Sequence, residues 1–362
     1  MSPYRRSWRG LAGAAALALA ACSDSPTGPV KPADPLATAA NVAALNQSFS
    51  SPAFESFSLV AAPSAPAASS FAALRTLLRS VGPMVSGRLT SASESRLLAA
   101  TLRSALAPVT GVVSAVIFPP ELLGKTFEWD TTSVQYQVTD RAGAPANGVR
   151  FILYALDLGG SPIVTQEIGY ADLKDESSGT TQQMHLLVVG ATVTYLDYTV
   201  AATAGPTAGT GTVTVLGYIT DGSHRLDFNC PVTVTATSVT LDIAFDVNAD
   251  NAHVRETLTV TPIQPSGLGL DIAFTLQVGN EVVTLTGADT TTGVSESGRL
   301  TVRVNGGLYA TITITNGEPT FLGAGGQPLT ADDLTALNAL FNAIWDALGH
   351  FDDLITPTGL GG

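Results

Sequence analysis

The chain is poor in the residues that carry most enzyme chemistry. Of 362 residues, two are cysteine, four are histidine and 13% are charged. Two cysteines cannot build the disulfide framework of a small secreted scaffold. Lysine and arginine total 17 against 30 carboxylates, a formal charge of −13. Such a surface repels nucleic-acid phosphates and anionic lipid headgroups, so no nucleic-acid partner is expected and any membrane contact has to come from elsewhere. Aromatics are 7% of the chain, which leaves the core to aliphatic side chains. Also missing are a Gly-x-Ser-x-Gly elbow, a His-Glu-x-x-His pair, a Cys-x-x-Cys pair and a glycine-rich phosphate loop between strand and helix. His185, His224, His253 and His350 are scattered along the chain, so a hydrolase would have to assemble one of them with a carboxylate and a Ser or Cys in space. The sequence assigns no catalytic residue, no cofactor and no metal site.

What is present begins at the N-terminus. Residues 1–21 hold Arg5, Arg6 and Arg9 and no carboxylate, followed by an apolar run from Leu11 to Ala20. That run suits the central part of an export signal and is too short to span a bilayer. It ends in Leu19-Ala20-Ala21-Cys22. These four residues resemble the lipobox of bacterial lipoproteins: an aliphatic residue, two small residues and the cysteine that receives the lipid. The resemblance implies export, cleavage before Cys22 and a diacylglyceryl thioether on its sulfur. Small residues before the cysteine let the extended backbone enter the signal peptidase. Two or more acyl chains, at about 0.8 kcal/mol per buried methylene, hold a protein firmly on a membrane. Removing the three arginines takes the net charge from −13 to −16.

In enteric lipoproteins an aspartate directly after the cysteine favours the inner membrane. Here Ser23 follows and Asp24 comes next, so the resemblance favours the outer membrane of a cell envelope. Residues 22–35 are polar and proline-rich and read as a tether.

Residues 36–109 are rich in Ala, Ser and Leu and carry three helical stripes: Val42, Leu45 and Phe49; Phe71, Leu74, Leu78 and Val81; Leu98, Leu102 and Leu106. Weak, alanine-diluted stripes favour core-facing helices over a membrane-surface region.

Over 110–320 the texture changes to alternating Val, Thr, Ile and Tyr broken by turn residues, the pattern of β-strands. Three hairpins can be tested for register, because facing residues must share a side of the sheet. A two-residue turn at Asp221-Gly222 sets Ile219 opposite His224, Gly217 opposite Leu226, Val215 opposite Phe228 and Val213 opposite Cys230. A turn at Gly279-Asn280 sets Leu276 against Val283 and Phe274 against Leu285. At Asn305-Gly306 a two-residue turn would mismatch the faces, whereas a three-residue loop to Gly307 pairs Val302 with Ala310 and Leu300 with Ile312, which predicts a glycine bulge. The apolar phase flips between Ala236 and Val239, so a bulge or sharp bend is expected near Thr237.

Fragments Leu196-Asp197-Tyr198, Leu226-Asp227-Phe228, Leu241-Asp242-Ile243 and Leu270-Asp271-Ile272 recur at intervals of 30, 15 and 29. A unit near fifteen residues is one strand plus its turn, which favours a long meander over a true sequence repeat.

Residues 321–362 return to helix, with Thr330 as cap and Leu334, Leu337, Phe341, Ile344 and Leu348 on one stripe flanked by Leu340 and Trp345. The fold expected is mainly β or α+β. It is a large antiparallel meander, curved or half-barrel, with N-terminal helices and a C-terminal amphipathic helix against its apolar face. That architecture loosely resembles the sheet-plus-helix half-barrels that carry lipids or lipoproteins across the periplasm.

Three residue sets invite functional readings. Asp246, Asn248 and Asp250 alternate as calcium-loop ligands do, with Asn251 and Glu256 beyond. Yet the sixth position is Asn251 instead of glycine, Glu256 comes one place early, and a polar hairpin turn accounts for the same residues. Arg150, in Gly148-Val149-Arg150-Phe151-Ile152-Leu153-Tyr154, would either anchor an anion or pair with a nearby carboxylate. Cys230 in a strand reads as a small buried apolar residue before it reads as a nucleophile. The function expected is that of a lipid-anchored envelope protein binding a hydrophobic small molecule or lipid, with a structural or adhesive surface module as the alternative. Replacing Cys22 by Ala is expected to move the chain from the membrane fraction to the soluble fraction. Mass analysis of the parent protein should find its N-terminal peptide beginning at an acylated Cys22; an unmodified peptide would refute the lipobox reading.

Overall fold

The alternation of Val, Ile and Leu with Thr and Asp resolves into strands whose odd and even residues meet different surroundings. The computed structural model describes residues 117–207, 210–248, 251–263, 267–292, 295–316, 318–337 and 340. Cys22, the tether, the helical stripes of residues 36–109, Asp250 and His350 lie outside the described residues.

A 3-10 turn at Pro120–Leu122 leads into β1 (Lys125–Asp130), β2 (Gln135–Thr139), β3 (Gly148–Leu156), β4 (Pro162–Asp175) and β5 (Thr181–Gly190). Then come β6 (Thr194–Ala204), β7 (Gly211–Thr220), β8 (Arg225–Val234), β9 (Val239–Val247) and β10 (Ala252–Ile263). The last five are β11 (Gly267–Val278), β12 (Glu281–Thr292), β13 (Ser295–Val304), β14 (Gly307–Thr315) and β15 (Glu318–Gly323). Residues 331–337 form a helix, α1, which includes 340. Among the described residues no helix is long and apolar enough to cross a membrane.

All fifteen strands belong to one sheet that is not closed, with β2 at one edge and β15 at the other. From β3 to β15 every strand pairs antiparallel with its successor, as a meander. The exception is β1, which lies between β2 and β3 and runs parallel to β3. Arg141, in the connection from β2 to β3, pins this crossing: its guanidinium donates to Glu128 on β1 at 3.0 Å and to both oxygens of Glu167 on β4 at 2.7 and 2.9 Å.

One face of the meander is apolar along most of its length. In β5, Met184, Leu186 and Val188 are buried; in β8, Leu226, Phe228, Cys230 and Val232; in β9, Val239 to Val247 at every second position. Full burial of each such side chain contributes on the order of 1.5–3 kcal/mol, so the face is the principal source of stability. Gly217 marks a close approach on it: an added Cβ would lie 2.4 Å from the Tyr198 side chain. Its bareness lets Tyr198 and Phe228, on the two flanking strands, meet edge to face at 5.7 Å.

The Gly279-Asn280 hairpin has the expected register, with Phe274 opposite Leu285 and Leu276 opposite Val283. The first hairpin is displaced by two residues from expectation: Ile219 faces Leu226, Gly217 faces Phe228 and Val215 faces Cys230. The cause is Asp221, whose Oδ1 accepts the N–H groups of Ser223 and His224, each at 2.7 Å, and so stabilises a four-residue loop. A shift of two preserves the faces, so the apolar residues still meet.

At the third hairpin Val302 faces Ala310 and Leu300 faces Ile312 as expected, but the extra residue is elsewhere. Asn305 and Gly306 both have positive φ, 48° and 80°, and make the two-residue turn the dipeptide favours. The register shifts instead between Val302 and Arg303, opposite Tyr309, in place of the expected glycine bulge. Tyr309 and Ala310 are therefore buried in succession. Near Thr237, where a bulge or sharp bend was expected, the chain turns in a hairpin, with Val234 facing Val239 and Thr235 N donating to Ser238 O.

Thr330 caps α1 as expected, in a reciprocal box with Asp333: the Asp333 N–H donates to Thr330 Oγ1, and Asp333 Oδ2 accepts from the Thr330 N–H and hydroxyl. Leu337 and Leu340 join the same apolar cluster as the sheet, whereas Leu334, placed on the buried stripe by its spacing, is exposed. The buried Tyr309 donates its hydroxyl to Asp333 Oδ1 at 2.8 Å. The bulge thus ties β14 to the first turn of the helix. Tyr309→Phe is expected to cost about 1–2 kcal/mol, read as a lower urea midpoint at unchanged slope; an unchanged midpoint would show that the tie contributes nothing.

Candidate functional site

The two faces of the sheet divide the ionisable residues between them. On the half-exposed face, carboxylates find bases. Arg150 donates from Nε and Nη2 to the two oxygens of Asp172 at 2.7 and 2.8 Å and lies 3.7 Å above the Tyr170 ring. The carboxylate reading of Arg150 is the one observed, and its fork is committed within the sheet. Arg225 repeats the arrangement with Asp227 and Tyr218.

Three histidines lie beside carboxylates. His185 Nδ1 is 3.0 Å from Glu176 and Nε2 is 2.7 Å from Asp197; His224 contacts Asp221, and His253 contacts Asp246. Asp221 is held down at about 2 by the hydrogen bonds from the side chain and backbone of His224. Both ring nitrogens of His185 are occupied by carboxylates, and Cys230 is buried on the opposite face. Burial pushes the Cys230 thiol up to about 12, so it is a core residue, inert as a thiolate.

Of the alternating set in the β9–β10 turn, the described members Asp246 and Asn248 take partners within the sheet. Asp246 accepts both contacts of Arg255 Nη2, at 2.7 and 2.9 Å, besides its contact with His253. Burial would raise its carboxyl, but these bonds outweigh it and hold the group below its ordinary value. Asn248 donates to Asp227 at 2.9 Å. Glu256 points to the other side of the sheet from Asp246. Among the described residues no group of three or more potential metal ligands comes together.

Glu256 is a buried carboxyl in the middle of the apolar face. In β10 the buried positions are Ala252, Val254, Glu256, Leu258 and Val260. Register places Ile243 on one side of Glu256 and Phe274 on the other. The row continues through Leu285, Val302 and Ala310, and in the other direction Cys230, Val215 and Val200. Between β8 and β9 the pairing lapses at Cys230 and Pro231, where proline has no N–H to offer a ladder. Glu256 is 2% exposed, and neither carboxyl oxygen has a hydrogen-bond partner. Burial pushes its pKa from the ordinary 4.5 up to about 8.

A second pair of acids sits near one end of the same face. Asp289 on β12 and Glu296 on β13 are half-buried and share a hydrogen bond; burial raises both, and in Glu296 the Asp289 charge adds to it.

The signal that points to Glu256 is the alternation itself: a carboxylate stands where the series from Ala252 to Val260 calls for an apolar residue. Counting it as the last ligand of a calcium loop hides that. Comparison with known protein families, curated proteins and solved structures found no match.

The linkage has a definite sign. A carboxyl raised in the folded state keeps a proton that the unfolded chain has already released between pH 4.5 and about 8. Its contribution is fully favourable below 4.5 and is lost as pH rises to about 8. Across that window the wild type is expected to lose about 1.4 kcal/mol per pH unit from this group, and Glu256→Gln to remove that slope. Urea titrations at several pH values check this; equal slopes in the two proteins would mean that the carboxyl is solvated or paired.

Proposed function

We propose that this chain is a lipid-anchored envelope protein that binds a hydrophobic molecule against the apolar face of its sheet, with the anchor on Cys22. The observation that carries the reading is Glu256: a carboxyl with both oxygens unpartnered, centred in a row of apolar side chains. A buried polar group without a partner costs on the order of 1–3 kcal/mol. Among apolar surroundings a single polar group fixes the orientation of a mostly apolar ligand, which is the composition of small-molecule sites.

The sheet supplies the concavity in this reading. Fifteen twisted strands in one open sheet curl, and the apolar side is the inner one, forming a half-barrel. Leu337 and Leu340 of α1 reach the same apolar cluster and the side chains around Glu256 are almost wholly buried, so in this reading the ligand lies between the sheet and what packs on it. The acidic outer surface, with net charge −13 before cleavage, leaves membrane attachment to the lipid and excludes nucleic acid as a partner. The Ser23-Asp24 sequence after the anchor favours the outer membrane.

Native mass spectrometry on the full chain carrying Cys22→Ser, purified without denaturation and incubated with envelope lipid extract, tests the reading. A bound mass of lipid or small-molecule size that denaturation releases is expected. A clean ligand-free mass would make the protein a packed structural or adhesive module instead.

A further inference from the structure

We infer that the ligand of this face is a cationic amphiphile, an apolar body bearing a protonated amine that ion-pairs with the Glu256 carboxylate. The inference rests on the hydrophobic-ligand reading above and adds the chemistry of the head group.

The apolar side of the sheet, in the described residues of β5 to β14, carries acids without bases to balance them. Across β5 to β14 the basic side chains Arg225, Arg255, Arg299 and Arg303 occupy strand positions alternate to the buried ones, on the far side of the sheet. The carboxyls that share the apolar side are Glu256 in its middle and Glu281, Asp289 and Glu296 nearer its ends. Among the described residues of these strands, no lysine or arginine faces that side. A fatty-acid carboxylate or a phosphate seated there would meet carboxyls without a compensating base: protonated, Glu256 offers it one hydrogen bond and no opposite charge, and ionised, it repels it. An ammonium meets the opposite.

Glu256 itself lacks a hydrogen-bond donor. Its neighbours on the adjoining strands are Ile243 and Phe274, and on its own strand Val254 and Leu258; none has a hydrogen to donate. One strand further lies Cys230, the one other titratable group in that row, a thiol kept protonated by burial. Two unsatisfied oxygens accept what an ammonium offers, three N–H donors carrying the opposite charge. A neutral alcohol can use the protonated acid as a donor or acceptor, but gains nothing from ionising it.

The proton balance follows. Below pH 8 the free protein holds a proton on Glu256; when an ammonium enters, the O–H bond breaks, the proton leaves to solvent and the carboxylate keeps the electron pair. Amine binding at pH 6 therefore releases close to one proton, and above pH 8 it releases little.

The test uses the full chain with Cys22→Ser, titrated calorimetrically with dodecylamine, dodecanol or dodecanoate, each below its micellar concentration. The amine is expected to bind at least tenfold more tightly than the other two. Glu256→Gln is expected to lose at least tenfold in amine affinity and to abolish the proton release that accompanies amine binding at pH 6. Equal affinity for dodecanoate or dodecanol, or an unchanged amine affinity in Glu256→Gln, would overturn the amine assignment and leave the hydrophobic-ligand reading standing. Failure of all three amphiphiles to bind would overturn both. Should the variant not fold, the wild type still decides: amine binding at pH 6 with no proton released, measured in two buffers of different ionisation enthalpy, refutes the ion pair.

Discussion

Everything in this molecule depends on keeping one face of a very long sheet apolar through a succession of turns. Because side chains alternate along a strand, a register error of one residue at any hairpin would turn the following strand's apolar set to the wrong side. Fourteen pairings join the fifteen strands, and the turns differ in size. Two residues suffice at Gly279-Asn280, four are used at Asp221 to His224, and four again from Thr235 to Ser238. At Asn305-Gly306 the turn has the wrong parity for the strands it joins, and the bulge at Tyr309 restores it. The bulge also turns Tyr309 inward toward Asp333, so the device that corrects the register is the one that anchors the C-terminal helix.

This explains why the faces were legible in the sequence and the loops were not. Val215, Phe228, Leu226 and Ile219 announce their side by alternation, whatever the loop length. The length itself depends on a side chain, since Asp221 captures two backbone N–H groups and opens the turn from two residues to four. At the third hairpin two rules, the turn preference of Asn-Gly and the apolar pattern, are each satisfied, because a bulge within the strand reconciles them. Helix α1 shows a similar split. Its cap is written in Thr330 and Asp333, but the burial of Leu337 and Leu340 in place of Leu334 follows from how the helix meets the sheet.

The ion pairs of the outer face contribute less than their number implies. Exposed pairs such as Arg141 with Glu128 and Glu167 bring on the order of 0–1 kcal/mol each. Their role here is local. Arg141 fastens the one connection that departs from the meander, and Arg150, stacked on Tyr170 and forked onto Asp172, fills a partly buried spot beside it. Asp246 is engaged the same way by Arg255 and His253.

The contrast between Asp246 and Glu256 carries the functional argument furthest. They lie ten positions apart on neighbouring strands, and chemically they differ by one methylene. Asp246, partly in water and bonded to two bases, is held down; Glu256, enclosed and bonded to nothing, is pushed up to about 8. Leucine at 256 would continue the apolar row and remove the penalty, and glutamine would keep the shape without the charge. A stability-driven sequence would favour either. Retaining an acid at that point is costly in the unliganded protein, and the cost is offset when something brings a donor to it. On an apolar face with carboxyls and no lysine or arginine described across ten strands, the partner that offsets it most completely is a cation with an apolar body.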